Sequence, residues 1–329
     1  MGDLRLAEEP EPCAGEGELL VDVTAVGLCG SDRHWVVEGG IGDAALGRPL
    51  VLGHEFAGVV AGGPRSGERV ALDPAIPCSR CAVCFAGLPH LCPDVRFAGH
   101  GTTDGALRSR LAWPEALAHP VPDAVPDPEA ALLEPLGVAL HALRLGHVRE
   151  GTTAAVFGCG PIGLLVLQAL AAHAVETIVA TDPLAHRRAA AEASGASLAV
   201  APAALAEVPL PDGLGVDVAF ETAGTDEAVA DAIAAVRPGG RVVLVGIPDG
   251  DRTSFPASTA RRKGVTLLLS RRMRPDDLPS AIELAAAGRV DLGALVGERH
   301  PLTGWEQAFA ALVERRTLKV VIDPQQGVA

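Results

Sequence analysis

Hydrophobic and polar positions follow two different patterns along this 329-residue chain. From residue 4 to 75, short apolar runs are separated by Gly and Pro, which predicts an all-β module. Its predicted strands are Leu19–Val23, Val51–Leu52, Phe56–Ala61 and Arg69–Leu72. From residue 151 to about 270, strand-like runs alternate with helix-like runs, and this predicts a parallel sheet with helices on both faces. The predicted strands of that sheet are Ala154–Phe157, Thr177–Thr181, Val216–Glu221, Arg241–Gly246 and Val265–Leu269.

Helical spacing of apolar residues marks the connection between the two parts and the tail of the chain. The predicted helices are Ala130–Leu133, Gly137–Leu145, Asp277–Ala287 and Gly304–Glu314, and a last strand is predicted at Leu318–Ile322. Pro135 disfavours helical geometry at Glu134, so we expect a helical turn to end there. We predict a β-rich domain over residues 1–140, a parallel-sheet domain over 141–271, and a return of residues 272–329 to the first domain.

A glycine-rich turn follows the first strand of the predicted parallel sheet. Gly158, Gly160 and Gly163 give the pattern G-x-G-x-x-G. The first glycine allows a tight turn, the second lets the backbone approach a pyrophosphate, and the third packs helix on strand. The helix that begins at Pro161 and Ile162 would hold the phosphates at its N-terminus. These features predict a dinucleotide site.

The acidic residue at the end of the next strand bears on which dinucleotide binds. Asp182 lies about 20 positions after the turn, where a carboxylate accepts the ribose hydroxyls of NAD. The same charge repels the 2′-phosphate of NADP, so we expect NAD. Arg187 and Arg188 could bind that phosphate, and NADP is therefore the alternative.

The composition excludes several classes of protein. The net charge of −14 argues against nucleic acid or an anionic membrane as a partner. No apolar run reaches the length of a membrane helix, and the acidic segment Met1–Glu11 does not resemble a signal peptide. The chain has no Tyr, which excludes a Tyr-Lys type of dehydrogenase. We expect a cytoplasmic protein.

Four of the seven cysteines lie close together in a loop that we predict over residues 76–94. Cys78, Cys81, Cys84 and Cys92 could converge on one tetrahedral zinc at about 2.3 Å, with no position left open, so the site would be structural. An iron–sulfur cluster is the alternative metal site, because a proline follows Cys92. Free or disulfide-bonded cysteines are the non-metal alternative.

A second set of metal-binding side chains has a different composition. Cys29, His54 and Glu55 offer the sulfur, imidazole and carboxylate donors that a catalytic zinc accepts. The thiolate and the carboxylate would balance the charge of the ion, and an open position would suit an alcohol. Each residue also has an ordinary alternative, since a free Cys is usually a small buried side chain and His54 with Glu55 could form a structural hydrogen bond.

These motifs together resemble the zinc-dependent medium-chain alcohol dehydrogenases, and among them the sorbitol (L-iditol) dehydrogenase-like polyol dehydrogenases. The resemblance covers almost the whole chain. It is carried by Cys29-Gly30-Ser31-Asp32, Gly53-His54-Glu55, the four-cysteine loop, Glu134-Pro135-Leu136, the glycine turn and Arg271-Arg272. It implies a GroES-like catalytic domain, a Rossmann domain with a doubly wound parallel sheet, and a homodimer or homotetramer.

The resemblance also implies a role for each site residue. The catalytic zinc would be bound by Cys29, His54 and Glu55, with Glu134 approaching it directly or through a water; Ser31 and His34 would relay the alcohol proton through the cofactor ribose; and Arg272, or else Arg271, would contact substrate hydroxyls. Two departures stand out. The family usually has a further strand before the position of Gly2, and aromatic residues near the pocket are scarce, with Trp35, Phe97 and Trp113 as the candidates.

We therefore expect an enzyme with one catalytic and one structural zinc that transfers a hydride from a secondary alcohol, polyol-like or cyclitol-like, to NAD. A threonine-type or amino-cyclitol (2-deoxy-scyllo-inosamine-like) alcohol dehydrogenase shares the same motifs. A catalytically silent relative that serves as a binding or structural protein is an alternative of another class. Such a relative is expected to lack a zinc ligand or the glycine turn, and all of these are present here.

Overall fold

The computed structural model describes residues 3–42, 44–250 and 252–327. Met1 and Gly2, where the departure from the family pattern begins, lie outside the described residues. The chain divides into two compact units. The first unit comprises Met1–Glu134 and Arg274–Ala329, and the second comprises Pro135–Met273.

The first unit is rich in short strands, and in the second unit most strands are followed by a helix. The strands are β1 (Glu18–Gly27), β2 (Gly40–Ile41), β3 (Ala44–Ala45), β4 (Glu55–Val60), β5 (Arg69–Leu72), β6 (Ala75–Ile76), β7 (Arg96–Phe97), β8 (Arg110–Pro114), β9 (Ala118–Pro120), β10 (Thr153–Phe157), β11 (Thr177–Thr181), β12 (Leu198–Val200), β13 (Val216–Glu221), β14 (Val236–Leu244), β15 (Thr266–Leu269), β16 (Val296–Pro301) and β17 (Lys319–Asp323). The helices are α1 (Gly30–Glu38), α2 (Ala82–Phe85), α3 (Asp127–Ala130), α4 (Leu133–Gly146), α5 (Pro161–Ala172), α6 (Ala185–Ala193), α7 (Asp226–Ala235), α8 (Ala257–Lys263), α9 (Asp277–Ala286) and α10 (Trp305–Glu314). None of the helices in the described ranges is long and apolar enough to cross a membrane.

The first unit is built on a seven-stranded sheet in the order β16-β17-β1-β4-β5-β9, with β8 also pairing with β1. β1 buries Val21 and Val23 in a core that also contains Phe56 and Trp113. β17, from the tail of the chain, runs antiparallel to β1. The ends of β1, β4 and β17 therefore meet at one place in the sheet, and the residues at these ends build the candidate active site.

The second unit contains a six-stranded sheet in the order β12-β11-β10-β13-β14-β15. All of its pairings are parallel, which confirms the predicted doubly wound sheet. The strand order reverses at β10, and nucleotide sites form outside the carboxyl ends of the strands at such a reversal. The glycine turn begins at this point, with Gly158 directly after β10.

Three local predictions are wrong. The first is the helix at Ala130–Leu133, because α3 ends at Ala130 and α4 begins at Leu133. Val51 and Leu52 form no strand; their carbonyl groups accept hydrogen bonds from the N–H groups of Gly105 (2.7 Å) and Leu107 (2.9 Å) in a loop that ends before β4. Glu134 does not end a helical turn, because α4 begins at Leu133 and continues through the proline that follows Glu134. A proline in the first turn of a helix removes no intrahelical hydrogen bond, which makes this placement favourable.

Candidate active site

Cys29, His54 and Glu55 converge at the ends of neighbouring strands. One ligand atom from each lies within 4.8 Å of the other two. Cys29 is the residue before α1, just after β1, while His54 directly precedes Glu55, the first residue of β4. β1 and β4 are paired antiparallel with Gly27 opposite Glu55, so the two strand ends bring the three side chains together. Three mixed donors at this spacing suit a zinc ion with a fourth position left open.

The polar atoms of this cluster fit a metal ion. Both His54 and Glu55 are buried, and Oε1 of Glu55 has no hydrogen-bond partner among the described residues. A buried carboxylate oxygen without a partner is unfavourable, and a metal ion would satisfy it. The donor set and this unsatisfied atom both support zinc at the cluster.

Asp32 orients the imidazole. Its carboxylate is completely buried and accepts hydrogen bonds from the N–H groups of Cys29 (2.8 Å) and Gly53 (3.4 Å). Its Oδ1 atom lies 3.6 Å from Nδ1 of His54, so Nε2 is the ring nitrogen that remains to bind a metal ion. Burial disfavours both charges, but their mutual attraction lowers the pKa of Asp32 and, with the thiolate of Cys29, raises the pKa of His54.

Helix α1 carries the two residues expected to relay protons. Oγ of Ser31 lies 3.3 Å from Nε2 of His54, so this hydroxyl borders the cluster. His34 is buried, and its Nδ1 lies 2.9 Å from Oε1 of Glu38, one turn further along the helix. Ser31 and His34 are three residues apart and therefore share one face of α1.

Glu134, at the start of α4, is a buried carboxylic acid. Burial raises its pKa to about 8, and the negative charges of Glu55 and Asp73 also raise it. The positive charges of His54 and Lys319 lower this pKa but do not outweigh the burial. In the absence of a metal ion, this carboxyl group is therefore mostly protonated at neutral pH.

The four cysteines of the loop form a second, closed cluster. The sulfurs of Cys78, Cys81, Cys84 and Cys92 all lie within 4.8 Å of one another. Sγ of Cys81 is 3.5 Å from Sγ of Cys84 and 3.9 Å from Sγ of Cys92. Four sulfurs around one zinc at about 2.3 Å are separated by about 3.8 Å, so the observed spacing fits tetrahedral coordination. None of the seven cysteines, which all lie in the described ranges, forms a disulfide.

The glycine turn has the local geometry that the sequence pattern requires. Gly158 has φ of +98°, and a Cβ atom there would lie 2.9 Å from Ala223. A Cβ atom on Gly163 would collide with the carbonyl oxygen of Gly158, so close packing excludes any side chain. Gly160 precedes α5 in an extended conformation, and Pro161 begins the helix with Ile162 next. The N–H groups of this first turn are available for an anion.

Asp182 is fixed beside this turn. It is 3% exposed and accepts hydrogen bonds from the N–H groups of Cys159 (2.9 Å) and Leu184 (2.8 Å). Nη1 of Arg187 lies 3.8 Å from its Oδ2 atom. Nη1 of Arg188 instead donates to the carbonyl oxygen of Asp182, at 2.8 Å. The carboxylate is thus held beside the glycine turn, with Arg187 nearby.

The candidate substrate residues Arg271 and Arg272 differ in burial and backbone conformation. Arg271 is exposed, while Arg272 is half-buried and has a left-handed backbone with φ of 59°. Among the aromatic candidates, Trp113 belongs to the core and donates to the carbonyl oxygen of Asp73 (2.9 Å). The ring of Phe97 lies 5.5 Å from the ring of His54, which places it beside the metal cluster.

Two family models match the chain. The alcohol dehydrogenase GroES-like domain matches residues 15–123, and the zinc-binding dehydrogenase model matches residues 161–287. Sorbitol dehydrogenase of Bacillus subtilis is 34% identical over 336 residues, which cover 98% of this chain and 95% of that protein.

The chain belongs to the zinc-dependent medium-chain alcohol dehydrogenase family.

Solved structures agree with this assignment. L-Idonate 5-dehydrogenase of Escherichia coli superposes with a TM-score of 0.86 at 28% identity, covering 93% of this chain and 91% of the other. A zinc-binding dehydrogenase of Sinorhizobium meliloti bound to NADP gives 0.87 at 30% identity, covering 95% and 94%. The predicted family and the predicted fold class, a GroES-like domain and a Rossmann domain, are confirmed.

Sequence reasoning missed one buried residue of this dehydrogenase, Lys319. It is the first residue of β17, is 2% exposed, and its ammonium group pairs with Oε2 of Glu55. Burial alone would lower its pKa, but the negative charges of Glu55, Cys29 and Asp32 raise it, so the side chain stays charged. A signal was present in the sequence, because Lys319 is one of only two lysines among 27 basic residues and stands at the start of an apolar strand.

Proposed function

We propose that this dehydrogenase oxidises a secondary alcohol of a polyol, using zinc at the open cluster and NAD as hydride acceptor. The convergence of Cys29, His54 and Glu55 within 4.8 Å carries the proposal, because it joins three mixed donors and leaves room for a fourth ligand. The resemblance to a sorbitol dehydrogenase and to an L-idonate dehydrogenase favours a polyhydroxylated substrate.

The open cluster would hold the catalytic zinc through Sγ of Cys29, the imidazole of His54 and Oε1 of Glu55. When bound, zinc supplies the Lewis acidity that lowers the pKa of an alcohol; for water on a catalytic zinc this shift is about nine units, or about 12 kcal/mol. Asp32 holds His54 in the ring orientation that leaves Nε2 as the donor. Glu134 remains close by as a buried acid that can hold or release a proton.

Ser31 and His34 would carry the alcohol proton away from the cluster. Oγ of Ser31 lies next to His54 and could accept the alcohol proton while it passes its own hydroxyl hydrogen on along the path. His34 follows one turn along α1, and Glu38 contacts its Nδ1 atom, so Nε2 is the ring nitrogen that would receive the proton. A positioned base contributes about 10²- to 10⁴-fold to a rate, which is less than the Lewis acid supplies.

The four-cysteine cluster would hold a structural zinc. Its four sulfurs fill every position of a tetrahedral ion, so it offers no place for substrate. Metal analysis tests this part: we expect two zinc ions per chain, whereas brown colour and iron in place of the second zinc would show an iron–sulfur cluster.

We propose NAD as the cofactor because of Asp182. A phosphate charge 4 Å from this carboxylate would cost about 4 kcal/mol at an effective dielectric constant of about 20. Arg187, at 3.8 Å from Asp182, favours NADP as the second candidate, since its guanidinium could turn to a 2′-phosphate. Comparison of kcat/KM with the two cofactors decides: a higher value with NAD supports the role of Asp182, and a higher value with NADP contradicts it.

A substrate panel tests the proposed function as a whole. Sorbitol, xylitol, inositols, amino-cyclitols and threonine are offered with NAD, and NADH fluorescence is followed with and without a zinc chelator. We expect chelator-sensitive oxidation of a polyol. Preference for threonine or an amino-cyclitol would replace the substrate class, and turnover of none would favour a silent relative. The homodimer or homotetramer expected from the family is tested by light scattering of the purified protein.

A further inference from the structure

A buried ion pair crosses the first sheet beside the open cluster. Glu55 is the first residue of β4 and Lys319 the first residue of β17, and β1 runs between these two strands. The side chains of both are almost completely buried, with exposures of 1% and 2%, and Nζ of Lys319 contacts Oε2 of Glu55. The pair therefore joins a metal-ligand residue to the tail of the chain across an intervening strand.

Gly27, the last residue of β1, makes this contact possible. It is paired with Glu55 on one side and with Val321 on the other. A Cβ atom on Gly27 would collide with Oε2 of Glu55 and would lie 3.1 Å from Cε of Lys319. The missing side chain thus provides the space in which carboxylate and ammonium meet.

The identity of the cation fits this narrow space. All but two of the 27 basic residues of the chain are arginine, and yet position 319 is a lysine. An ammonium group is a compact point charge, whereas a guanidinium group is a wide planar fork. The site therefore accepts a small cation that contacts one oxygen of the carboxylate.

The two oxygens of Glu55 have different surroundings. Oε2 is paired with Lys319, while Oε1 has no hydrogen-bond partner among the residues that the structure describes. With a divalent ion bound and Cys29 as its thiolate ligand, the three negative charges of Cys29, Asp32 and Glu55 would equal the charge of that ion plus one ammonium. Removing the ammonium would leave both carboxylate oxygens free and the cluster with an excess negative charge.

We propose that Lys319 is a positioning residue that occupies Oε2 of Glu55, so that the carboxylate presents only Oε1 to the metal and leaves one coordination position open for the alcohol. This inference rests on the proposed zinc-dependent function. Without Lys319, both oxygens of Glu55 can approach the ion and fill that position. A variant without Lys319 is therefore expected to keep its metal ion but to lose the coordination position that the alcohol needs.

The test uses the full-length enzyme with cobalt(II) in the open site. Wild-type protein must first show two zinc ions and polyol-dependent NADH formation. Failure at this step contradicts the proposed function itself, and it is thereby distinguished from a failure of the Lys319 inference. The open-site zinc is then removed by chelation and replaced by cobalt, whose visible absorption is strong in tetrahedral sites and several-fold weaker in five-coordinate ones. Lys319→Met, which removes the charge at similar length, is compared with Lys263→Met.

Lys263 provides a matched control. It lies at the end of α8, where its ammonium group donates to the carbonyl oxygen of Val236 (2.7 Å) in the second unit. Lys263→Met is expected to keep the wild-type cobalt spectrum and kcat. Lys319→Met is expected to keep its metal and its KM for NAD, to lose cobalt absorption several-fold, and to lose kcat by about 10- to 100-fold, the usual range for residues that support a metal ligand.

Two results would overturn the inference. One is a Lys319→Met protein with the wild-type cobalt spectrum and a kcat within about threefold of wild type. The other is a folded Lys319→Met protein that no longer holds the metal, since the lysine would then support binding instead of limiting coordination. If Lys319→Met does not fold, Gly27→Ala decides, because its methyl group displaces Oε2 from the ammonium and keeps every charge. The same weakened spectrum is expected, and an unchanged spectrum contradicts the proposal.

Discussion

The open cluster and the closed cluster of this dehydrogenase differ in how the chain assembles them. The four sulfurs of the closed cluster come from one loop, within 15 residues of sequence, and are all alike. The open cluster takes a sulfur, an imidazole and a carboxylate from the ends of β1 and β4, and a charged partner from β17, almost 300 residues after Cys29. A local, uniform site suits a structural role, and a site assembled from distant strands can be adjusted for chemistry.

Loss of a ligand at the open cluster should give the largest effect on activity. We expect Cys29→Ser or His54→Ala to lower kcat by more than about 10⁴-fold, because the Lewis acid contribution is lost. NADH binding, followed by fluorescence, should survive, since the glycine turn lies in the second unit. If a variant that has lost the open-site zinc kept its activity, the open cluster would not be the catalytic one.

A matched change at the closed cluster should affect stability instead. We expect Cys84→Ser to lose one zinc and to lower Tm by about 10 °C, because a structural zinc contributes directly to folding. The kcat of the protein that remains folded at low temperature should stay within about threefold of wild type. A loss of kcat as large as that of Cys29→Ser, with the open-site zinc still bound, would show that this cluster takes part in the reaction.

The proton path adjacent to the open cluster should contribute less than its metal ligands. We expect His34→Ala to lower kcat by about 10- to 100-fold, because a general base supplies only part of the rate and Ser31 remains in place. The zinc content should stay at two ions per chain. We expect Glu38→Gln to lower kcat less than His34→Ala does. This variant keeps His34 and changes only the side chain that contacts its Nδ1 atom. An unchanged kcat in His34→Ala would place the proton exit elsewhere.

A substitution of Glu134 should give the smallest of these effects. We expect it as a change in the stability of the metal-free protein. Its pKa of about 8 in the folded state lies above the ordinary value of 4.5. The folded state therefore holds this proton more tightly than the unfolded state, and its stability falls as the pH rises from about 4.5 to about 8. We expect Glu134→Gln to raise Tm by a few degrees at pH 8 and to match wild type near pH 5. If wild type and Glu134→Gln had the same Tm at every pH between about 5 and 8, Glu134 would not be a buried, protonated acid.

The features that local chemistry determines were predictable from the sequence. The strands before and after Gly158 follow from apolar runs of the right length, and Gly158 and Gly163 follow from steric limits that act within a few residues. The spacing of the four cysteines also acts within one loop. Local patterns therefore predicted most of the second unit and the closed cluster.

Long-range pairing explains what the sequence did not reveal. Val51 and Leu52 look like a strand, but their carbonyl groups bond to residues more than 50 positions away in a loop. Lys319 reaches Glu55 only because β17 pairs with β1, and Asp32 gains its role because the N–H of Gly53 and the ring of His54 approach it from the loop before β4. The hydrophobic pattern of a single segment does not show which distant segment it will contact.

Stepwise metal removal tests the central claim most directly. The protein is treated with a mild chelator, and zinc content, NADH formation from a polyol and the far-ultraviolet circular dichroism spectrum are measured on the same samples. We expect the first zinc to leave the open cluster, turnover to disappear with it, the fold to stay intact, and one added equivalent of zinc to restore the activity. Full turnover after loss of that zinc would contradict the account.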